Sequence, residues 1–281
     1  MNSPLVSSEW MAAHLEDPGV VLVQLKYEPD EDDYSDGHIP GAQFWYWKDM
    51  LWDDTDRQFP IPELMGKRLG EHGIGENTTL VLHSGRNQYA AYGYWVIKKM
   101  CGHPDVRVLD GSWMKWQAEG REMTTDVPDV TPVVYQVRQT ERDDSSRISR
   151  GEVRDGLGIP GRVILDGRYA SEYNGERVKP GTDFDFGAER YGRIPGAEHL
   201  LFTNLMNDDA TLKSPEELEA IYRSYGAAPD QADEVVTYCR LGHRGSLLWF
   251  TAAEILGWHH FRVYDGSWTE WGSAVGFPVE R

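Results

Sequence analysis

The chain has 281 residues, 40% hydrophobic and 12% aromatic, enough for one large core or two ordinary ones. Its formal net charge of −18 argues against nucleic acid and anionic membrane surfaces as partners. No run approaches the ~18 apolar residues of a membrane span. The start, Met1 to Val6, lacks a signal peptide's basic and apolar regions, and two cysteines make no disulfide framework, so a reducing cytoplasm is the expected setting.

In chain order, a helix opens after Val6-Ser7 and a short apolar strand follows at 20–24. The acidic run Asp30 to Gly37 fails as an EF-hand: with Gly37 sixth, position three is Tyr34 and position twelve Gln43, so it reads as a solvated loop. An Ile39-Pro40-Gly41-Ala42 turn comes next, then a helix over 62–72, a strand at 79–83, a helix over 89–100 and a strand at 106–109. A Trp-bearing helix follows Asp110-Gly111-Ser112-Trp113. The stretch 124–146, with Pro128, Pro132 and the polar run Glu141 to Ser146, reads as a linker.

The same order then returns. Ser149 and Glu152 fit a capping box, and a strand follows at 162–166. Lys179-Pro180-Gly181 reads as loop, and Ile194-Pro195-Gly196-Ala197 repeats the turn. Ser214-Pro215-Glu216-Glu217 opens a helix over 214–225, with Pro suited to the first helical position. A strand at 234–238, a loop at 239–244, a helix over 245–256, a strand at 261–264 and a last Trp-bearing helix complete the chain.

This is a duplication. Asp110-Gly111-Ser112-Trp113 recurs as Asp265-Gly266-Ser267-Trp268, 155 residues on (265 less 110), and the same offset carries Gly102 onto Gly257 and Trp116 onto Trp271. Nearer the start of each copy the offset is 142 (148 less 6): Val6-Ser7 maps onto Ile148-Ser149, and Val21-Leu22-Val23 onto Val163-Ile164-Leu165. The second copy therefore has a net insertion of 13 residues (155 less 142) between about 167 and 192. Strands alternating with helices imply an α/β fold with a mainly parallel sheet in each copy. The expected division is 1–123, a linker over 124–146, and 147–281.

Chemistry concentrates in Cys239-Arg240-Leu241-Gly242-His243-Arg244, between a buried strand and a helix. Backbone N–H groups in such a loop converge on its centre, and the helix N-terminus adds partial positive charge. With two arginines and a histidine, this favours a thiolate at Cys239 and makes it the candidate nucleophile. Its counterpart is Ser84, with Gly85 and Tyr89 where the arginines stand, and it reads as an inert loop remnant. Metal binding by Cys239 and His243 would need partners that the sequence does not show, so His243 reads as a loop residue with a minor electrostatic role. Cys101, without basic neighbours, reads as a small buried hydrophobe.

The doubled Ile-Pro-Gly-Ala and Asp-Gly-Ser-Trp segments and the single loop cysteine, over roughly 5–280, resemble the two-domain rhodanese sulfurtransferases. The resemblance implies tandem rhodanese-like domains, the first (1–123) inactive and the second (147–281) catalytic, with no metal or organic cofactor. It also implies ping-pong covalent catalysis: thiosulfate, a small anionic donor, gives its outer sulfur to Cys239, and cyanide or a thiol removes it. Arg240 matches the loop arginine of thiosulfate users, and the Arg240-to-Arg244 amides, including Leu241, Gly242 and His243, would cradle the persulfide. Asp166-Gly167-Arg168 resembles the family's Asp-x-Arg, whose arginine helps bind the donor. Mercaptopyruvate users resemble Cys-Gly-Ser-Gly or Cys-Gly-Ala-Gly at the loop, unlike Arg240-Leu241. Leu241 stands where vertebrate thiosulfate enzymes carry lysine, a charge that Arg244 would replace. Three alternatives stay open: a 3-mercaptopyruvate sulfurtransferase, a non-catalytic binding module, and a cysteine phosphatase, whose signature has five residues between Cys and Arg where this loop has four.

Overall fold

The computed structural model describes residues 3–28, 32–53, 55–176 and 188–281; the expected Lys179-Pro180-Gly181 loop and the start of the acidic run, Asp30-Glu31, lie outside them. The chain divides into two compact units, Met1–Asp143 with Asp208–Leu212, and Asp144–Asn207 with Lys213–Arg281.

Among the described residues the first unit holds five strands: β1 (Leu5–Val6), β2 (Val20–Lys26), β3 (Gln43–Tyr46), β4 (Thr79–His83) and β5 (Val106–Leu109). Their order is β1-β5-β4-β2-β3, every neighbouring pair parallel. The second unit holds β6 (Arg162–Asp166), β7 (Glu198–His199), β8 (Glu234–Tyr238) and β9 (Phe261–Val263), ordered β7-β6-β8-β9 and again all parallel. Helices provide the crossovers that parallel pairing requires. The predicted strands are all present, with small differences in extent.

Local chemistry explains the element boundaries. Ser149 and Glu152 form the predicted capping box at the helix Arg150–Asp155. Ser214 and Glu217 form another, with Pro215 in the first turn of the helix Pro215–Ser224. Both Ile-Pro-Gly-Ala segments are tight turns: Ala42 N–H donates to Ile39 O and Ala197 N–H to Ile194 O, each at 3.0 Å. Gly41 and Gly196 sit at φ +77° and +75°, the left-handed position that a type II turn reserves for glycine. The acidic run differs from its expected open loop, because Asp32–Asp36 forms a helical turn.

The two cores use corresponding positions. Val6, Met11, Leu22, Ile39, Ala42, Val81, Leu109 and Trp116 cluster in the first unit. Ile148, Val153, Ile164, Ile194, Ala197, Val236, Tyr264 and Trp271 do so in the second. Each large apolar side chain so buried contributes roughly 1.5–3 kcal/mol. The alignment also narrows the insertion. Tyr34 OH donates to Ala42 O (2.6 Å) and Tyr173 OH to Ala197 O (2.7 Å), so those tyrosines correspond at an offset of 139 (173 less 34): 16 residues (155 less 139) are added between Tyr173 and Gly192, and three (142 less 139) are lost before Tyr173.

The stretch read as a linker is assigned to the first unit as far as Asp143. Val133 N–H donates to Gly70 O (2.9 Å), Tyr135 OH bonds His103 Nδ1 (2.9 Å), and Arg142 donates to Phe59 O (2.6 Å). Gly66 accommodates Tyr135, whose ring would come within 2.7 Å of an added Cβ. Among the described residues no helix is long and apolar enough to cross a membrane.

Candidate active site

Cys239 follows β8 directly and is buried. Its backbone is fastened on both sides. Its N–H donates to Ser267 Oγ (3.1 Å), and its carbonyl accepts from Trp268 N–H (3.0 Å). The next carbonyl, of Arg240, accepts from Thr269 N–H (3.1 Å). Ser267 Oγ in turn donates to Tyr264 O (2.8 Å). Ser267 holds a left-handed φ of +54°, unusual for a residue with a side chain, so the repeated Asp-Gly-Ser-Trp segment is a strained clamp on the cysteine's backbone.

Gly242 turns the loop with φ +91°, and the helix His243–Phe250 begins immediately after it. This start is two residues earlier than the sequence suggests, because the glycine supplies the turn that releases the chain into the helix. His243 and Arg244 therefore occupy the first helical turn. Gly245 lets that turn press on the strand end, since an added Cβ would lie 3.1 Å from Tyr238 Cα. The N–H groups of Leu241, Gly242 and Arg244 have no acceptor among the described residues. Unsatisfied amides at a helix start, with the positive end of its dipole, favour an anion.

The arginines have partners that the sequence reading did not supply. Arg168 is 1% exposed and donates to both oxygens of Asp166 (3.0 and 2.6 Å) and to Gly192 O (2.8 Å). Its guanidinium lies 4.7 Å from the Trp268 ring centroid and 5.6 Å from that of Tyr238. Burial alone would lower its pKa, but the Asp166 charge outweighs this and the net shift is upward. Tyr238 OH donates to Asp166 (2.5 Å) and accepts from Ile194 N–H (3.2 Å), tying the strand end before Cys239 to the Ile-Pro-Gly-Ala turn. Burial, reinforced by the Asp166 charge, pushes the Tyr238 phenol up.

Arg244 donates to both oxygens of Glu172, at 2.6 and 3.0 Å. Their side chains are 13% and 4% exposed, and the guanidinium lies near the rings of Tyr169 (5.4 Å) and Phe202 (6.0 Å). Burial would raise the Glu172 carboxyl, but Arg244 draws it below the usual range. Arg240 and Leu241 are half-buried, while His243 and Gly242 are buried. Cys101 is buried, with Sγ 3.4 Å from Pro60 O.

Glu172, Tyr238 and Ser267 are the site residues that sequence reasoning missed. Ser267 had a signal in its repeated motif. Glu172 had only a carboxylate's position on the short helix Ala170–Tyr173, and no spacing rule connects that helix to Arg244.

In the first unit, side chains of the corresponding loop take up backbone groups around it. Ser84 N–H donates to Asn87 Oδ1 (3.2 Å), Asn87 Nδ2 to Leu109 O (2.8 Å), and Ala90 N–H to Ser84 Oγ (3.3 Å).

Comparison with known proteins accords with this geometry. The rhodanese-like domain model matches residues 7–119 and 149–274. The chain is 40% identical over 287 residues to the sulfur carrier protein TtuD of Thermus thermophilus, covering 99% of this chain and 96% of that protein. It is 39% identical over 278 residues to a protein provisionally named thiosulfate sulfurtransferase in Saccharopolyspora erythraea, with the same coverages. Among solved structures it resembles EanB variants, including one with a cysteine persulfide in a tetrahedral intermediate state with ergothioneine (TM-score 0.83, 27% identity, 99% of this chain and 70% of that one). The anaerobic ergothioneine biosynthesis enzyme of Chlorobium limicola, in complex with trimethyl histidine, is similar at TM-score 0.81, 27% identity and the same coverages.

Proposed function

The chain belongs to the rhodanese-like family, as a sulfurtransferase with two such domains, and from that premise we propose that it moves sulfane sulfur from thiosulfate to a thiol or cyanide through Cys239. The observation that carries this reading is the buried cysteine held at Ser267 and Trp268 beside three amides without acceptors among the described residues.

In the first half-reaction the Cys239 thiolate attacks the outer sulfur of thiosulfate. The S–S bond breaks, sulfite leaves with the bonding pair, and the new sulfur remains as a persulfide. The amides of Leu241, Gly242 and Arg244 stabilise its terminal charge without reorganising, as an oxyanion hole would. Arg240 holds the sulfonate oxygens by charge-assisted hydrogen bonds. In the second half-reaction an acceptor thiolate or cyanide attacks the outer sulfur and returns Cys239 as thiolate. The similarity to a protein named as a sulfur carrier supports a thiol acceptor, and two cysteines without a disulfide framework fit a reducing cytoplasm as its setting. We assign Arg168 to the floor of the site, beneath Tyr238 and Trp268, because its fork is occupied by Asp166 and Gly192.

The test is mass spectrometry after incubation with thiosulfate. A gain of about 32 Da, one sulfur, on the Cys239 peptide is expected; its absence sinks the reading. Comparing kcat/KM for thiosulfate and mercaptopyruvate settles the donor.

A further inference from the structure

We propose that Glu172 is a positioning residue that masks the charge of Arg244 beside Cys239, leaving Arg240 and the loop amides to receive the donor anion. This rests on Cys239 as the reactive thiol but not on the identity of the donor.

Arg244 lies five residues beyond Cys239, in the first turn of the helix that follows the loop. Glu172 engages its guanidinium fork through both oxygens, at 2.6 and 3.0 Å. Side-chain exposures of 13% and 4%, with Tyr169 and Phe202 alongside, remove most of the water that would otherwise screen the pair. In such surroundings a carboxylate cancels a guanidinium charge more completely than bulk solvent does. Arg168 is treated alike, by Asp166, in a pair with exposures of 1% and 0%. Of the three arginines that the sequence places around the thiol, two are therefore neutralised by carboxylates from the single segment 166–172.

The consequence concerns turnover. An uncompensated fork beside Cys239 would grip any anion strongly, the leaving anion included, and binding ground state and transition state alike does not accelerate the chemistry. Glu172 keeps Arg244 as a geometric element of the loop while removing most of its pull.

The charge at the thiol can be read without sulfur chemistry. Cys239 is alkylated with iodoacetate, an anion, and with iodoacetamide, its neutral analogue, and the two rates are measured on the Cys239 peptide. In Glu172→Gln the iodoacetate-to-iodoacetamide ratio is expected to rise about three- to tenfold as the Arg244 charge is unmasked. In Arg244→Gln, where Glu172 is left unpaired, it is expected to fall by a similar factor of about three to ten. The double variant is expected within about twofold of wild type, closing the cycle. A structural role alone would move both reagents by one factor, and that outcome in Glu172→Gln overturns the proposal. If Glu172→Gln does not fold, Arg244→Gln reads the same charge from the other side, and an unchanged ratio there overturns it. Absence of a thiosulfate adduct on wild-type Cys239 would instead defeat the sulfur-transfer reading, leaving the alkylation ratio interpretable.

Discussion

Gly242 and Asn87 occupy corresponding places in the two copies, both in left-handed backbone, at φ +91° and +56°. Ser267 and Ser112, also corresponding, share a φ near +55° (+54° and +56°). The backbone bend has thus been kept in both units while the chemistry has diverged. In the first, Asn87 Oδ1 takes the Ser84 amide, a part that Ser267 Oγ plays for Cys239 in the second, and Ser84 Oγ takes the Ala90 amide. In the second, glycine offers no side chain, and the Leu241, Gly242 and Arg244 amides are left for a ligand. The layer beneath differs in the same sense. Asp166, Arg168 and Tyr238 form a bonded charged network. At the corresponding positions Gln24, Lys26 and His83 do not reproduce it, and Gln24 Oε1 and His83 Nε2 have no hydrogen-bond partner among the described residues. The copies differ in the charge of the loop, Gly85 and Tyr89 against Arg240 and Arg244, and in the layer beneath it, without a change of fold.

The largest effect separates the two loops outright. Cys239→Ser is expected to lower sulfite release from thiosulfate by at least about a thousandfold, some 4 kcal/mol, with an unchanged melting curve. Adding Ser84→Cys to that variant is expected to restore nothing, because Gly85 and Tyr89 stand where the second copy has Arg240 and Arg244. Sulfur appearing on residue 84 by mass spectrometry would break the comparison.

Next is the buried network. Arg168→Ala leaves Asp166 charged, buried and without its main partner, which typically costs about 3–5 kcal/mol. Lys26→Ala at the corresponding, half-buried position of the first unit is expected to cost less than about 1 kcal/mol in the same urea titration. Similar losses from both would show that the second copy's network is not special.

Acid should single out the first unit. Burial depresses His83 to about 3 and His103 to about 4. Both bind protons more readily unfolded than folded. Their stabilisation is therefore whole above pH 6.5 and is lost as pH falls toward about 4 for His103 and about 3 for His83. At pH 5 each contributes a loss of about 2 kcal/mol. Urea melts of the whole chain at pH 7 and pH 5 measure it, and His83→Gln should remove its share of the pH dependence.

The strands, the capping boxes, the two turns and the cysteine loop were legible because each depends on residues close in sequence. Alternation, Ser-x-x-Glu and Pro-Gly are local signals, and the 155-residue offset exposed Ser84 as the partner of Cys239. Three things were not legible. Arg168 and Arg244 read as free cations because Asp166 and Glu172 reach them only through the fold. The stretch 124–143 read as a linker because its prolines and charges conceal Tyr135 and Val133, which pack on glycines 66 and 70 of a distant helix. The helix start at His243 was hidden because the Gly242 conformation, not its neighbours' propensities, sets it.

Gly242→Asn tests the comparison most sharply because it writes the first unit's residue into the second. Asn tolerates left-handed backbone better than any other residue with a side chain except Asp, so the bend and the fold should survive with a cost near 1 kcal/mol. Its carboxamide oxygen would then compete with Ser267 Oγ for the Cys239 amide, and its bulk would stand among the amides that the persulfide needs. Losing one donor of such a cradle outright typically costs about two to three orders of magnitude; the asparagine crowds the amides without removing one, so kcat/KM for thiosulfate is expected to fall about 10- to 100-fold. Gly242→Ala separates the two causes, since it adds a Cβ at the same φ without a hydrogen-bonding group. If alanine lowers the rate as much as asparagine, strain at φ +91° is responsible. If asparagine is clearly worse, a hydrogen-bonding side chain at this position obstructs the amide cradle beyond the strain.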